Sequence, residues 1–303
     1  MSAQCRAAAA KVIACVLDGA SLDSPLQAAL EECSAVDKPL LQQLCYGTLR
    51  SYSRLDGILS QLLRKKLKSK DNDIKALMLC GMHQLLEMRT PDHAAISTTV
   101  EATRLLGKHW ATKLVNGVLR RCSRESESLL ENLDAAARDA HPPWLHGAIN
   151  KHWPEHAASV LQANNSHPPM CLRVNTLLGS RQDYLAKLQA QEIEASGCEY
   201  ASAGIRLLNA VDVARLPSFD EGWVSVQDEA AQLVGEILHI APGEKVLDAC
   251  SAPGGKACDL LERYPQMGEL LAMDIDAERL ARVEENMERL QLPAGLIQGD
   301  GRQ

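Results

Sequence analysis

The sequence lacks a long uncharged apolar run at its start: within MSAQCRAAAAKVIACVLDG the charges of Arg6, Lys11 and Asp18 interrupt it. Neither a cleaved leader nor a membrane span is therefore predicted, and a cytoplasmic protein with no membrane partner is the expectation. Paired cysteines are lacking as well. The ten cysteines occur singly, with no C-x-x-C pair and no Cys/His cluster at zinc-ligand spacing. That pattern points to reduced, mostly buried thiols, and neither to a disulfide framework nor to a metal site. No repeat of fixed period is evident. What is present suffices for a globular protein, since 303 residues with 46% hydrophobic content can build two or three packed domains.

The net charge of -7 is unevenly spread. Residues 1–140 hold 19 Lys and Arg against 16 Asp and Glu, residues 141–220 hold 6 against 7, and residues 221–303 hold 7 against 16. A polyanion would meet the first segment most easily, at the run Arg64, Lys65, Lys66, Lys68, Lys70 and at the pair Arg120, Arg121. A solvated helix face is the plainer reading of the same residues.

Apolar residues recur at three- and four-residue intervals up to about residue 140, as in Leu55, Ile58, Leu59, Leu62, Leu63 and in Leu114, Val115, Val118, Leu119, Cys122. This predicts an all-helical domain over 1–140. Pro39 sits just inside one helix start, Asp71 or Asp73 can cap another, and Thr90-Pro91-Asp92 separates two more. Prolines 142, 143, 154, 168 and 169 bracket two short helical patterns, read as a helical connector over 141–168. MCLRVNT, SRQDYLAKLQAQ and GIRLLNA then read as strand, helix and strand of a small α/β domain over 169–220. Over 221–303 the order is helix EAAQLVGEIL, strand KVLDAC, helix GKACDLLERY, strand ELLAMDID, helix AERLARVEENMERLQL and strand AGLIQGD. Such alternation is the first half of a doubly wound, Rossmann-like parallel sheet.

In sheets of this kind ligands bind beyond the carboxyl ends of the strands. After the first strand stands Asp248-Ala-Cys250-Ser251-Ala252-Pro253-Gly254-Gly255-Lys256, where adjacent glycines allow a tight turn with backbone N–H groups toward a ligand. Asp274 ends the second strand and Asp300 the third. The first carboxylate can accept from both ribose hydroxyls of an adenosine-containing cofactor, and the second from an adenine amino group. A Walker A loop is excluded, because Cys250 replaces its first glycine and Ala257 its Ser or Thr; G-x-G-x-x-G is absent too.

The string V-L-D-A-C-S-A-P-G-G-K resembles motif I of the NOL1/NOP2/Sun family of S-adenosylmethionine-dependent RNA m5C methyltransferases, and MDID and QGDG fall where that family has its next two cofactor motifs. Leu172-Arg173-Val174-Asn175-Thr176 is similar to the R-V-N segment of the family's small RNA-contacting domain, and Gly222 to Gln232 to the segment leading into its catalytic domain. His93-Ala-Ala-Ile96 and Lys113 to Arg121 resemble the NusB-like helical domain that marks the RsmB/Sun/Fmu branch. The resemblance implies methylation of cytosine C5 in 16S rRNA by a monomeric enzyme. It implies S-adenosyl-L-methionine held by Cys250, Ser251, Ala252, Pro253, Gly254, Gly255 and Lys256, with Asp274 on the ribose and Asp300 at the adenine. RNA contacts are expected at Lys65, Lys66, Lys68, Arg120, Arg121, Arg173 and Asn175.

The family's catalytic thiolate and its partner belong to Asp-Ala-Pro-Cys and Thr-Cys segments after the fourth and fifth strands, and neither string occurs here. No catalytic nucleophile is assigned, and the chain is expected to be the front part of such an enzyme, inactive by itself. A non-catalytic RNA-binding scaffold of NusB type is the competing reading, and the cofactor motifs argue against it. A small-molecule methyltransferase is disfavoured by the R-V-N and helical domains.

Overall fold

Ser2 opens the first helix, α1 (Ala3–Leu17), by accepting the Cys5 N–H. The computed structural model describes residues 2–302, and they fall into two units, one ending at Ser166 and the other starting at His167. In the first unit α1 is followed by α2 (Asp23–Glu32), α3 (Lys38–Arg50), α4 (Tyr52–Leu62), α5 (Asn72–Glu87), α6 (Asp92–Leu105) and α7 (Thr112–Glu131). Helix α5 is buried almost all round from Ile74 to Gln84, as a helix apolar on every face must be, and α1, α3, α4, α6 and α7 pack around it. Pro39 does open α3, and the Thr90-Pro91-Asp92 break does separate α5 from α6.

The expected connector is helical. After the short α8 (Ala135–Arg138), α9 (Pro143–His152) and α10 (Ala157–Asn165) share a small apolar cluster of Ile149, Ala157 and Leu161. Asn165 Nδ2 donates to the Asp139 carbonyl at 2.7 Å, so this pair packs as part of the helical unit and not as a free linker.

The second unit holds two sheets. The first is antiparallel, in the order β2 (Ala195–Gly197), β3 (Gly204–Leu207), β1 (Cys171–Val174), β4 (Val224–Val226). Helix α11 (Arg181–Ala190) begins with a Ser180/Asp183 capping box and buries Tyr184 and Leu188 against Leu172, Val174, Ile205 and Val224. Every residue of β1 is buried, because α11 covers one face while α12 (Glu229–Ile237) packs on the other. Two strands were not read from the sequence: β2, and β4, which carries the small sheet past the expected boundary at 220.

The second sheet is parallel, in the order β5 (Lys245–Asp248), β6 (Glu269–Asp274), β7 (Gly295–Gln298), with α13 (Gly255–Arg263) and α14 (Ala277–Leu290) supplying its connections and core. These are the elements the sequence alternation predicts. Strand β5 stands at an edge with Leu247 56% exposed, an apolar edge able to pair with another chain. Among the described residues no helix is long and apolar enough to cross a membrane.

Candidate cofactor site and nucleic-acid surface

The three parallel strands deliver their carboxyl ends to one place. Ser251 N–H donates to the Met273 carbonyl at 2.9 Å, and Gly299 N–H to the Asp274 carbonyl at 3.1 Å. The Gly301 backbone passes so near that a Cβ there would stand 4.0 Å from that of Ala249. Loops after β5, β6 and β7 therefore adjoin, as a ligand spanning all three motifs requires.

Side chains from several elements hold the loop after β5. Asp274 Oδ2 accepts the Ala252 N–H at 3.2 Å, and Asn286 Nδ2 donates to the Pro253 carbonyl at 3.0 Å. Gly254 has φ +95°, and a Cβ there would lie 3.0 Å from Val283 Cγ1, so the left-handed turn under α14 demands glycine. The Ala252–Pro253 peptide is cis. Helix α13 then starts without a side-chain cap, leaving its first-turn N–H groups to a ligand or water. Ser251 Oγ is buried and has no hydrogen-bond partner. Cys250 and Pro253 are exposed, Ala252 and Gly255 half-buried, and Lys256 exposed with its ammonium free of any carboxylate.

Asp274 does more than the sequence suggested. Only 4% exposed, its carboxylate accepts two backbone N–H groups, from Ala252 and from Asp276 at 3.1 Å. Arg279 Nη1 also stands 3.7 Å from Oδ1 as an ion pair, and with about four acceptor positions on its two oxygens the carboxylate keeps capacity for a diol. Asp300 sits in the third loop, but Arg302 covers it with hydrogen bonds at 2.6 and 2.9 Å that hold its carboxyl below the usual carboxylate range. These features fit an uncharged adenosine with an amino-acid tail: an orphaned buried hydroxyl, an open helix start, a glycine cradle and carboxylates at two strand ends. Among the described residues no group of three His, Cys, Asp or Glu could hold a metal ion. The hollows elsewhere do not coincide with this shelf. One of about 680 Å³ is lined by the helical unit, and one of about 410 Å³ opens at the opposite ends of β6 and β7, by Glu269 and Gly295.

Cys258 lies inside α13 and is buried, and burial pushes its thiol up to about 11. That thiol stays protonated and is no nucleophile.

On the helical unit Lys65, Lys66 and Lys68 occupy an exposed loop between α4 and α5, not a helix face, and none makes an ion pair. The nearby acids are already engaged, since Lys108 pairs with Asp71 at 2.8 Å and Asp73 at 3.6 Å. Arg120 is exposed and bonds only Asn116, whereas Arg121 is paired with Glu125 at 2.7 Å.

Arg173 and Asn175, expected to touch RNA, point inward instead. Arg173 is 1% exposed, its guanidinium bound by Glu262, Gln227 and the Gly255 carbonyl. Asn175 is buried, donating to the Gly222 carbonyl at 3.1 Å and accepting the Leu177 N–H at 3.0 Å. Both serve packing inside the second unit: Arg173 lies in β1, a central strand covered on both faces, and Asn175 follows it against Gly222. Arg289 is a further buried-side anchor that sequence reasoning missed. It donates from α14 to the Phe219 and Val224 carbonyls and to Ser225 Oγ, at 2.8, 3.1 and 3.2 Å.

The helical unit, the antiparallel sheet with its helix and the glycine-turn parallel sheet match known domain families in the same order. Residues 3–124 match the NusB family, 141–214 the RsmF/B-like methyltransferase ferredoxin-like domain, and 236–303 the 16S rRNA methyltransferase RsmB/F family. Together they define a methyltransferase with two domains ahead of its cofactor sheet. Ribosomal RNA small subunit methyltransferase B of Pseudomonas putida is 51% identical over 300 residues, covering 98% of this chain and 69% of that protein. The protein of the same name from Proteus mirabilis is 44% identical over 299 residues, covering 98% and 71%. The chain belongs to the ribosomal RNA small subunit methyltransferase B family. Its fold is also that of the crystal structure of PH0851, at TM-score 0.73 and 18% identity over all of this chain and 70% of that one.

Proposed function

We propose that this chain carries the RNA-binding domains and the S-adenosyl-L-methionine half-site of an enzyme that methylates cytosine C5 in 16S rRNA. The observation that carries the reading is the convergence of the loops after β5, β6 and β7 around the Asp274 carboxylate and the open start of α13. S-adenosylmethionine, when bound, supplies a sulfonium methyl. Ser251 and the first-turn N–H groups of α13 would take its amino-acid tail, Asp274 its ribose hydroxyls and Asp300 its adenine amino group, once Arg302 swings aside. Cys250, Ala252, Pro253, Gly254, Gly255 and Lys256 shape the loop between them.

Lys65, Lys66, Lys68 and Arg120 are the RNA contacts this reading favours, with Arg121 weakened by Glu125. Each lysine on a phosphate releases a condensed counterion, so affinity falls with salt. Changing Lys65, Lys66 and Lys68 together to Glu is expected to weaken binding to 16S rRNA fragments and to lower the slope of log K against log salt by about 2 to 3. Filter-binding isotherms across a salt series check this. An unchanged slope removes the loop from the interface.

A further inference from the structure

Arg173 of β1 and the cofactor loop are 82 residues apart in sequence, yet Arg173 Nη1 donates to the Gly255 carbonyl at 2.6 Å. Gly255 is the first residue of α13, directly after the left-handed Gly254, and so fixes where the loop becomes helix. The same Nη1 donates to Gln227 Oε1 at 2.5 Å, while Nε and Nη2 make a two-pronged contact with Glu262 at 3.1 and 2.7 Å. Asp259 Oδ1 stands 3.6 Å from Nε.

A guanidinium set against a helix start opposes the positive end of the helix dipole. Glu262 and Asp259, farther along the same helix, supply the balancing charge, and Arg173 thereby grips α13 at its first residue and again two turns later. If the cluster served only to glue helix to sheet, the carboxylates would suffice as anchors. The bond to Gly255 adds a hold on the loop itself. Asp274 separately holds the Ala252 N–H and Asn286 the Pro253 carbonyl. Burial raises Glu262 and Asp259 above the usual carboxylate range, and Arg173 pulls them part of the way back.

We propose that Arg173 is a positioning residue for the cofactor: from the small antiparallel sheet it sets the first turn of α13, and with it the shape of the loop that receives S-adenosylmethionine. The inference rests on the S-adenosylmethionine reading of that loop. A lysine at 173 keeps the charge but has three donors on one nitrogen, too few and too closely set for the four bonds that the arginine fork makes to Glu262, Gln227 and Gly255.

The experiment titrates S-adenosylmethionine into the 303-residue chain and its variants by calorimetry, with thermal melts of each. Arg289→Lys is the control, since Arg289 anchors the same small sheet from α14 without touching the loop. Arg173→Lys is expected to bind about tenfold more weakly than the parent, the scale of one charge-assisted hydrogen bond. Arg289→Lys should melt lower yet bind within about twofold of the parent, because its hydrogen bonds go to the small sheet and none to the loop. Arg173→Met should lose at least as much affinity as Arg173→Lys, and if it fails to fold the lysine variant still decides. Equal affinity for Arg173→Lys and parent, or an equal loss in Arg289→Lys, overturns the proposal and leaves the cofactor reading standing. A parent chain that takes up no S-adenosylmethionine overturns both.

Discussion

Incubated with unmodified 16S rRNA and radiolabelled S-adenosylmethionine, the 303-residue chain is expected to leave cytosine C5 unlabelled. C5 becomes nucleophilic only when a thiolate has added to C6, so the reaction needs a cysteine aimed at the base. Of the ten cysteines, Cys5, Cys45, Cys80, Cys122, Cys171, Cys198 and Cys258 are buried, and burial pushes Cys5, Cys122 and Cys258 up to about 11. Cys15 lies in α1 and Cys33 directly after α2, both outside the parallel sheet. Cys250 is exposed but forms part of the loop that would receive the methyl donor. The resemblance puts the nucleophile and its partner on Asp-Ala-Pro-Cys and Thr-Cys segments, which these residues do not contain. Fusing the corresponding strands of a relative should restore labelling, and replacing the Thr-Cys cysteine by alanine should abolish it. Label at C5 from the unfused chain would show that one of these ten thiols acts, with Cys250 the first to replace.

Asp274→Ala should have the next largest effect, because the one carboxylate has two tasks. It is placed for the ribose hydroxyls, and it already accepts the Ala252 N–H that ties the loop to β6. A hydrogen bond to a charged group contributes about 1.5 to 3 kcal/mol, so its removal should weaken S-adenosylmethionine binding roughly tenfold to hundredfold. Loosening of the loop adds to that. Asp274→Asn separates the tasks in part: its amide oxygen can still take the Ala252 N–H, while its amide nitrogen then faces the Asp276 N–H and the diol loses a charged acceptor. The asparagine variant should fall between parent and alanine in calorimetric affinity, and equal affinity in all three would exclude Asp274 from the cofactor.

Much of this was legible in the sequence because the carriers are local. Alternating helix and strand patterns gave the order from α12 to β7, and a short string of small residues, C-S-A-P-G-G-K, marks the loop whose Gly254 turns left-handed. The three-residue strands β2 and β4 escaped, being too short to show a period of two. Arg173 and Asn175 were expected at the RNA from the R-V-N resemblance alone, and in the fold both are buried. A charged residue in a strand is normally turned to solvent, and the partner that draws Arg173 inward, Glu262, comes 89 residues later in the chain. Periodicity within one segment carries no trace of such a pairing. The basic run was legible as charge, but its place on a loop, with Asp71 and Asp73 already taken by Lys108, required the folded arrangement.

That β5, β6 and β7 build an adenosine site for a methyl donor, and no phosphate site, is tested most directly by titrating S-adenosylmethionine into the parent chain with ATP and NAD as competitors. A single saturable site is expected, displaced by S-adenosylhomocysteine and untouched by ATP or NAD, because no Walker A or G-x-G-x-x-G loop is there to hold their phosphates. No binding of S-adenosylmethionine, or its displacement by ATP or NAD as readily as by S-adenosylhomocysteine, would contradict it.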